Sequence, residues 1–318
     1  MLTRFAPALT CVAWLIAGAA FGQTASAPSA AVAPLTVQAA PEPKVIERQA
    51  HSFVERYAGV GNPEIDQIGR WHDAVCAEVV GLAQADQAAL IKARIESVAQ
   101  AVGLPASPAG CTANVEIVFT SQPQRTMDMV AKRREYLLGY YHLHDRDQLK
   151  AVSHPIQSWY VTDTSSGSSL HAGIVFVNHA PTASMGVIDD PENSAPVGCG
   201  EASRFSACYR SSFDNVFMVA DAAALQGKDI GLVADYMVML ALSKPRSLDS
   251  CNILASVIDV FSKSACPGRE PPDGLTPSDA AYLTSLYQAD PEARKSFQQS
   301  DISFRMAKIL VKAGAGGR

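Results

Sequence analysis

The chain lacks several short motifs by which binding and catalytic proteins are recognised. It contains no C-x-x-C pair and no G-x-S-x-G turn, which argues against a cysteine zinc cluster and a serine hydrolase of the nucleophile-elbow type. It has no long run of basic residues, and its formal net charge is −5. A mildly acidic chain of this kind is a poor candidate for binding nucleic acid or an anionic membrane surface.

Residues 1–27 have the pattern of a secretory leader. Arg4 supplies the positive charge, residues 8–20 form an apolar stretch, and small residues around positions 20–22 or 25–27 offer a cleavage site. The apolar stretch is too short to span a bilayer, and Cys11 lies inside it. We therefore expect a periplasmic or secreted protein with no integral membrane segment in the mature chain.

Composition predicts how the rest of the chain is divided. Residues 28–43 are rich in Pro, Ala and Ser, a composition that buries little surface and behaves as a flexible spacer. Residues 44–312 are long enough for one large domain with a substantial core. A flexible Gly-rich tail is expected over residues 313–318.

Six cysteines remain after the expected cleavage. An even number in an oxidising compartment indicates three disulfides, although six cysteines allow 15 connectivities. We predict pairing between neighbours in the sequence: Cys76 with Cys111, Cys199 with Cys208, and Cys251 with Cys266.

Hydrophobic periodicity predicts an α/β or α+β fold with a mixed, twisted sheet and helices on one face. The predicted helices cover residues 44–57, 86–102, 125–138, 229–243, 274–288 and 291–311. The predicted strands cover residues 71–82, 114–120, 158–162, 173–178 and 215–220, and the first of these segments is also compatible with a helix. The helix over 86–102 joins two strands that are therefore expected to be parallel. The strands at 158–162 and 173–178 are expected to form a hairpin.

The segment 274–288 and the order of elements resemble the metzincin metalloproteases, whose catalytic domain has a twisted mixed sheet, a central zinc helix and a closing helix. The closing helix of the matrixin branch has the pattern L-[TS]-x-x-D-x-x-x-[IL]-x-x-[IL]-Y. The matching positions are Leu275, Thr276, Asp279, Leu283, Leu286 and Tyr287. A metzincin-like topology is compatible with the predicted sheet, and the chain also resembles exported proteins of Gram-negative bacteria.

The resemblance implies a scaffold but not its chemistry. In metzincins the central helix carries H-E-x-x-H, whose two histidines bind zinc while the glutamate activates a water. The equivalent window here begins at Ala234 and ends at Val238, and neither side chain binds a metal. The resemblance therefore implies a degenerate zincin scaffold without its zinc site.

Other residues are candidates for function. His142 and His144 alternate in a polar segment, and alternate histidines on a strand can share a metal. Asp235 is the only interior charge of an otherwise apolar helix, so it must be paired, hydrogen-bonded or shifted in pKa if buried. A solvated loop for the histidines and a structural ion pair for Asp235 are the simpler interpretations.

Aromatic residues at positions 140, 141, 159 and 160 are compatible with either a binding groove or the core.

We expect no catalytic residue, metal or cofactor, and a partner that is a protein or an envelope ligand. The preferred function is therefore a non-enzymatic binding or structural protein. Two alternatives remain open: a hydrolase that uses Asp235 or the pair His142 and His144, and an envelope assembly factor.

Overall fold

The computed structural model contains both helices and strands and describes residues 42–62, 65–139, 146–166, 209–249, 251–263, 266 and 268–316. Within these residues the helices are α1 (Pro43–Tyr57), α2 (Ala85–Ala101), α3 (Pro123–Arg133), α4 (Arg146–Leu149), α5 (Ile230–Leu242), α6 (Pro277–Gln288) and α7 (Lys295–Gly316). The strands are β1 (Val60–Asn62), β2 (Ile65–Ile68), β3 (Ala77–Val80), β4 (Val115–Thr120), β5 (Ile156–Ser166) and β6 (Tyr209–Asp221). Short 3₁₀ helices cover Glu135–Leu138 and Val257–Phe261.

The main sheet is mixed and has the strand order β3-β4-β6-β5. Strands β3, β4 and β6 are parallel to one another, and β5 forms the antiparallel edge next to β6. Helix α2 connects β3 to β4, so the predicted parallel strand–helix–strand unit is confirmed. Strands β1 and β2 form a small antiparallel pair. The mixed α/β class is therefore confirmed.

Both faces of the main sheet are covered, which corrects the expectation of helices on one face. Val216 and Met218 of β6 belong to the large core, whereas the intervening Phe217 and Val219 belong to a second, smaller cluster. Met127 of α3 completes that second cluster. Because alternate strand residues point to opposite faces, an apolar run such as β6 indicates burial on both sides.

Helix α5 lies at the centre of the large core, as its sequence predicted. Nine of its residues are buried, and Asp229 caps its N-terminus by accepting a hydrogen bond from the backbone N–H of Leu232 (3.0 Å). A helix with apolar side chains on nearly all sides is stable only when other elements surround it.

The C-terminus of α5 is buried, and aromatic side chains supply its hydrogen-bond donors. Trp71 Nε1 donates to Ala241 O (2.7 Å), and Tyr287 Oη donates to Leu242 O (2.7 Å). Tyr160 Oη contacts Leu240 O (2.9 Å) and Ser243 O (3.0 Å). These contacts replace the water that would otherwise satisfy the last carbonyls of the helix.

Helix α6 begins at Pro277, three residues after the predicted start, and has a capping box. Thr276 accepts from the N–H of Asp279 (3.1 Å), the carboxylate of Asp279 accepts from the N–H of Thr276 (3.0 Å), and Pro277 occupies the first turn. The buried Asp279 also accepts from Ser256 Oγ (2.6 Å) and the N–H of Val257 (2.8 Å). Its carboxylate thus joins α6 to the 3₁₀ helix at Val257–Phe261.

Other predicted elements differ in extent. The strand predicted over 71–82 is reduced to β3, and the final helix begins at Lys295 rather than 291. The helix predicted over 125–138 ends at Arg133, and the backbone of Arg134 is not helical. There the Arg134 guanidinium forms a bidentate pair with Glu116 (2.7 and 2.8 Å).

Several predictions fall outside the described residues. These are the leader, most of the spacer, the strand over 173–178 with its hairpin, and the last residues of the tail. Among the described residues, no helix is both long enough and apolar enough to cross a membrane.

Candidate functional site

Asp235 makes structural contacts with both carboxylate oxygens. Its Oδ1 lies 2.6 Å from Nε of Arg94 on α2, and its Oδ2 accepts from the backbone N–H of Leu275 (2.8 Å), just before α6. The side chain of Asp235 is 13% exposed and that of Arg94 is 43% exposed. Asp235 therefore joins α5 to α2 and to the entry of α6, the simpler of the two sequence interpretations.

The positions that resemble a zinc-binding window lie in the core. Ala234 and Val238 are fully buried within the large hydrophobic cluster. No group of three or more His, Cys, Asp or Glu side chains suited to a metal ion occurs in the described portion of the chain. The side of α5 that contains Ala234 and Val238 therefore packs in the large hydrophobic core.

Two of the three predicted disulfides are present. Cys76 is bonded to Cys111, and Cys251 is bonded to Cys266. Cys199 and Cys208 lie outside the described residues, so their pairing stays a prediction. The first bond joins the start of β3 to the segment before β4, and the second closes a loop that follows α5.

Of the remaining candidates, Trp159 and Tyr160 are the two that lie within the described residues. His142, His144 and the aromatics at 140 and 141 lie outside the described residues. Trp159 and Tyr160 are both buried, but they belong to the clusters on opposite faces of the sheet. They therefore do not line a common groove.

A chain of contacts from Ser153 to Asp249 escaped the sequence analysis. Ser153 Oγ lies 2.9 Å from Nδ1 of His154, and His154 Nε2 lies 3.0 Å from Oδ1 of Asp249. Backbone N–H donation from Lys263, followed by the contact with His154, holds the pKa of Asp249 below its usual range. The tautomer of His154 decides whether Ser153 Oγ donates to Nδ1 or accepts from it.

This arrangement has the composition of a catalytic triad but differs from one in its setting. Ser153 and His154 are adjacent in the sequence, and the roles of the two ring nitrogens are the reverse of those in serine proteases. His154 Nε2 and Asp249 Oδ1 are close together, but the two atoms do not form an aligned hydrogen bond. The adjacency of serine and histidine was the only sequence signal.

A second group missed from the sequence surrounds Arg70. Its Nη1 donates to the carbonyls of Leu286 and Ala289 at the C-terminal end of α6. Cations are favoured at this end of a helix, where carbonyl groups lack intrahelical partners. Burial lowers the pKa of Arg70 to about 10, and the guanidinium stays charged at neutral pH.

His72 lies in the same electrostatic environment. Burial lowers its pKa to about 4, with smaller contributions from Arg70 and Arg210. The imidazole is therefore neutral at neutral pH. This part of the protein combines positive charge with a half-buried neutral histidine.

A shallow surface pocket of about 320 Å³ lies elsewhere, on α7 and the end of α6. Phe304 and Lys308 line it, and the Lys308 ammonium lies 4.2 Å from the centre of the Phe304 ring. Its lining contains none of the residues of the two groups described above.

Comparisons with known proteins give no identity for the chain. No protein-family profile, no curated protein and no solved structure matches it. Functional inference therefore depends on the geometry of the described residues.

Proposed function

We propose that the chain is an exported, non-enzymatic binding or structural protein on a metal-free, zincin-like scaffold. The observation that carries this proposal is the burial of Ala234 and Val238, the positions equivalent to the two zinc histidines of the resembling family. Aliphatic side chains in a packed core neither bind a cation nor admit a substrate.

The contacts of Asp235 support the same function. A general base needs a carboxylate oxygen that is free to accept a proton from water or substrate. Both oxygens of Asp235 are already engaged, by Arg94 and by the N–H of Leu275. The residue at the position equivalent to the catalytic glutamate thus holds helices together.

The order of elements supports the scaffold. The antiparallel edge strand β5 precedes β6, which leads into the central helix α5, and the capped helix α6 follows. Disulfides are typical of exported proteins, so the two bonds support a periplasmic or secreted location with a protein or envelope ligand as partner.

The test is elemental analysis of the mature protein purified from the periplasm, together with a peptidase assay. We expect far less than one zinc per chain and no peptide cleavage, with or without added zinc. A known metalloprotease handled identically serves as the positive control. One tightly bound zinc per chain, or cleavage abolished by a chelator, would refute the proposal.

The contacts of Ser153 favour a second candidate function, acyl transfer by an activated serine. In that reaction Ser153 Oγ would attack a carbonyl carbon, His154 Nδ1 would take the hydroxyl proton and pass it to the leaving group, and Asp249 would stabilise the imidazolium. Water would then release the acyl group from Ser153.

A fluorophosphonate probe tests this second function because it labels only activated serines. Labelling of the wild type that is lost in Ser153→Ala and reduced in Asp249→Asn would support it. Ser300→Ala, which removes an exposed hydroxyl on α7, is the matched control. An unlabelled, folded wild type would exclude the candidate.

A further inference from the structure

Helix α7 carries an exposed aromatic side chain beside two exposed lysines. Phe304 is 55% exposed, more than any other large apolar side chain of the described residues. Lys308 and Lys312 are also exposed. The three residues follow one another at intervals of four, so they lie along one side of the helix. We call Phe304, Lys308 and Lys312 the α7 stripe.

The side of α7 opposite to Phe304 packs in the interior. Ile302 and Met306 are fully buried in the large core, and α7 contacts both α1 and α6. Two residues along a helix correspond to roughly half a turn, so Phe304 lies on the other side from both. The α7 stripe is therefore held on a fixed element. A partner that binds it loses little free energy in ordering this surface.

The α7 stripe borders the surface pocket of about 320 Å³ described above. Besides Phe304 and Lys308, the pocket is lined by Gln288, Asp301, Arg305 and Ile309. The lining thus combines apolar groups, positive charges and hydrogen-bond acceptors. Pockets of this kind take a single protruding side chain of a partner, which is how the anchor residues of protein interfaces are bound.

The charges of the α7 stripe are both positive and lack a carboxylate partner among the described residues. The Lys308 ammonium lies over the ring of Phe304. Asp301 is the one acid of α7, and it is already paired with Arg305 (2.9 Å). Because covering an ammonium without a counter-charge is costly, a partner that covers this surface must bring its own negative charge.

This requirement distinguishes the possible occupants. A second copy would pair the stripe with itself in an isologous interface, and the stripe offers two lysines and no acid. An anionic lipid would bring its phosphate close to the carboxylate of Asp301. A peptide segment supplies carboxylates for the lysines, N–H donors for the acceptors of the pocket and a side chain to fill it.

We propose that the α7 stripe and its pocket dock an acidic peptide segment of a partner protein. One apolar side chain of the segment enters the pocket beside Phe304, and its carboxylates meet Lys308 and Lys312. The inference rests on the proposed binding function and specifies the chemistry of the partner.

The test is selection from a display library of random linear peptides against the immobilised mature protein. The selected peptides are synthesised with a fluorescent label, and their affinity is measured by fluorescence anisotropy. We expect the enriched sequences to combine acidic residues with an aromatic or long aliphatic residue. Their binding should weaken as sodium chloride is added, because salt screens the contact with the lysines.

Two variants locate the binding surface. Phe304→Ala removes an apolar wall of the pocket, and Lys308→Glu reverses one charge. Each is expected to weaken binding by about tenfold, the scale of an important contact in a protein interface. The matched controls are Leu90→Ala, which removes an exposed apolar side chain on α2, and Lys132→Glu, which reverses an exposed charge on α3. Both controls should bind as the wild type does.

Several outcomes would overturn the inference. One is a selection that enriches no peptide, and another is a set of peptides that bind Phe304→Ala and Lys308→Glu as tightly as the wild type. Dimerisation in sedimentation equilibrium that is lost in Phe304→Ala would assign the surface to a second copy instead. Binding to vesicles of phosphatidylglycerol and phosphatidylcholine that is lost in Lys308→Glu would assign it to a membrane.

Zinc content and peptidase activity are measured on the same preparation. A failed selection with zinc-free, inactive protein overturns the docking inference and leaves the proposed function standing. One tightly bound zinc per chain refutes the proposed function instead.

Discussion

Replacement of Asp235 tests whether its carboxylate has a structural or a catalytic role. Asp235→Ala removes the hydrogen bond to the N–H of Leu275 and the pair with Arg94. A hydrogen bond to a charged group contributes about 1.5–3 kcal/mol, and a pair with a partly exposed arginine adds about 0.5–1 kcal/mol. We therefore expect Asp235→Ala to lower the free energy of unfolding by about 2–4 kcal/mol.

Companion variants divide this loss between the two contacts. Asp235→Asn keeps an oxygen for Leu275 and should cost about 1 kcal/mol, and Arg94→Gln should cost about 0.5–1 kcal/mol. In Asp235→Ala combined with Arg94→Gln, the losses should be less than additive by the energy of the ion pair.

The measurement is urea unfolding of the wild type and the four variants with disulfides intact, followed by circular dichroism. Equal stability of Asp235→Ala and the wild type would refute the structural role. An enzymatic activity lost in Asp235→Asn, without loss of stability, would refute the assignment more directly.

Three further predictions concern other parts of the fold. Burial lowers the pKa of His72 in the folded protein from 6.5 to about 4. As the pH falls from 6.5 to 4, the unfolded chain therefore binds a proton that the folded protein does not bind. The free energy of unfolding should fall by about 3 kcal/mol over this range. Unfolding measured at several pH values should show this slope in the wild type and a smaller one in His72→Asn. Replacing both Cys76 and Cys111 by Ala should lower stability by about 3–4 kcal/mol, seen as a lower unfolding midpoint in urea, because the bond closes a long loop. Gly81→Ala should unfold at a temperature several degrees lower, since Gly81 has a φ of +87° and an added Cβ would lie 2.0 Å from the carbonyl oxygen of Phe119. Wild-type behaviour in any of these variants would contradict the corresponding argument.

Local signals in the sequence predicted much of the architecture. Thr276, Pro277 and Asp279 mark the start of α6 because capping depends on residues within one turn. The parallel pairing of β3 and β4 followed from the helix that joins them, through the geometry of such crossovers. The two disulfides present join cysteines that are neighbours in cysteine order, as predicted.

Strand lengths were less predictable. The sequence marked residues 158–162 and 215–220, whereas β5 covers Ile156–Ser166 and β6 covers Tyr209–Asp221. The additional residues are mostly polar, including Thr164 and Ser211, and therefore lack the hydrophobic signal of a strand. These polar residues pair because β5 and β6 supply hydrogen-bond partners for each other's backbone. No local sequence pattern reveals pairing between two such distant segments.

The candidate sites depend on contacts between distant residues. Asp235 was singled out as a charge within an apolar helix, but its partner Arg94 lies on another helix and has no distinguishing pattern. Arg70 resembles any arginine in the sequence, and its burial at the end of α6 appears only in three dimensions. The sequence therefore marks Asp235 as unusual but does not mark Arg70.

The aromatic caps of α5 have a consequence for the order of folding. Trp71, Tyr160 and Tyr287 reach the end of this helix from three widely separated parts of the chain. Its last turn is therefore completed only after those segments have docked, and in their absence it must remain hydrated and frayed. The most apolar helix of the protein thus gains its final stability from tertiary assembly, and its last turn should open only together with the surrounding core.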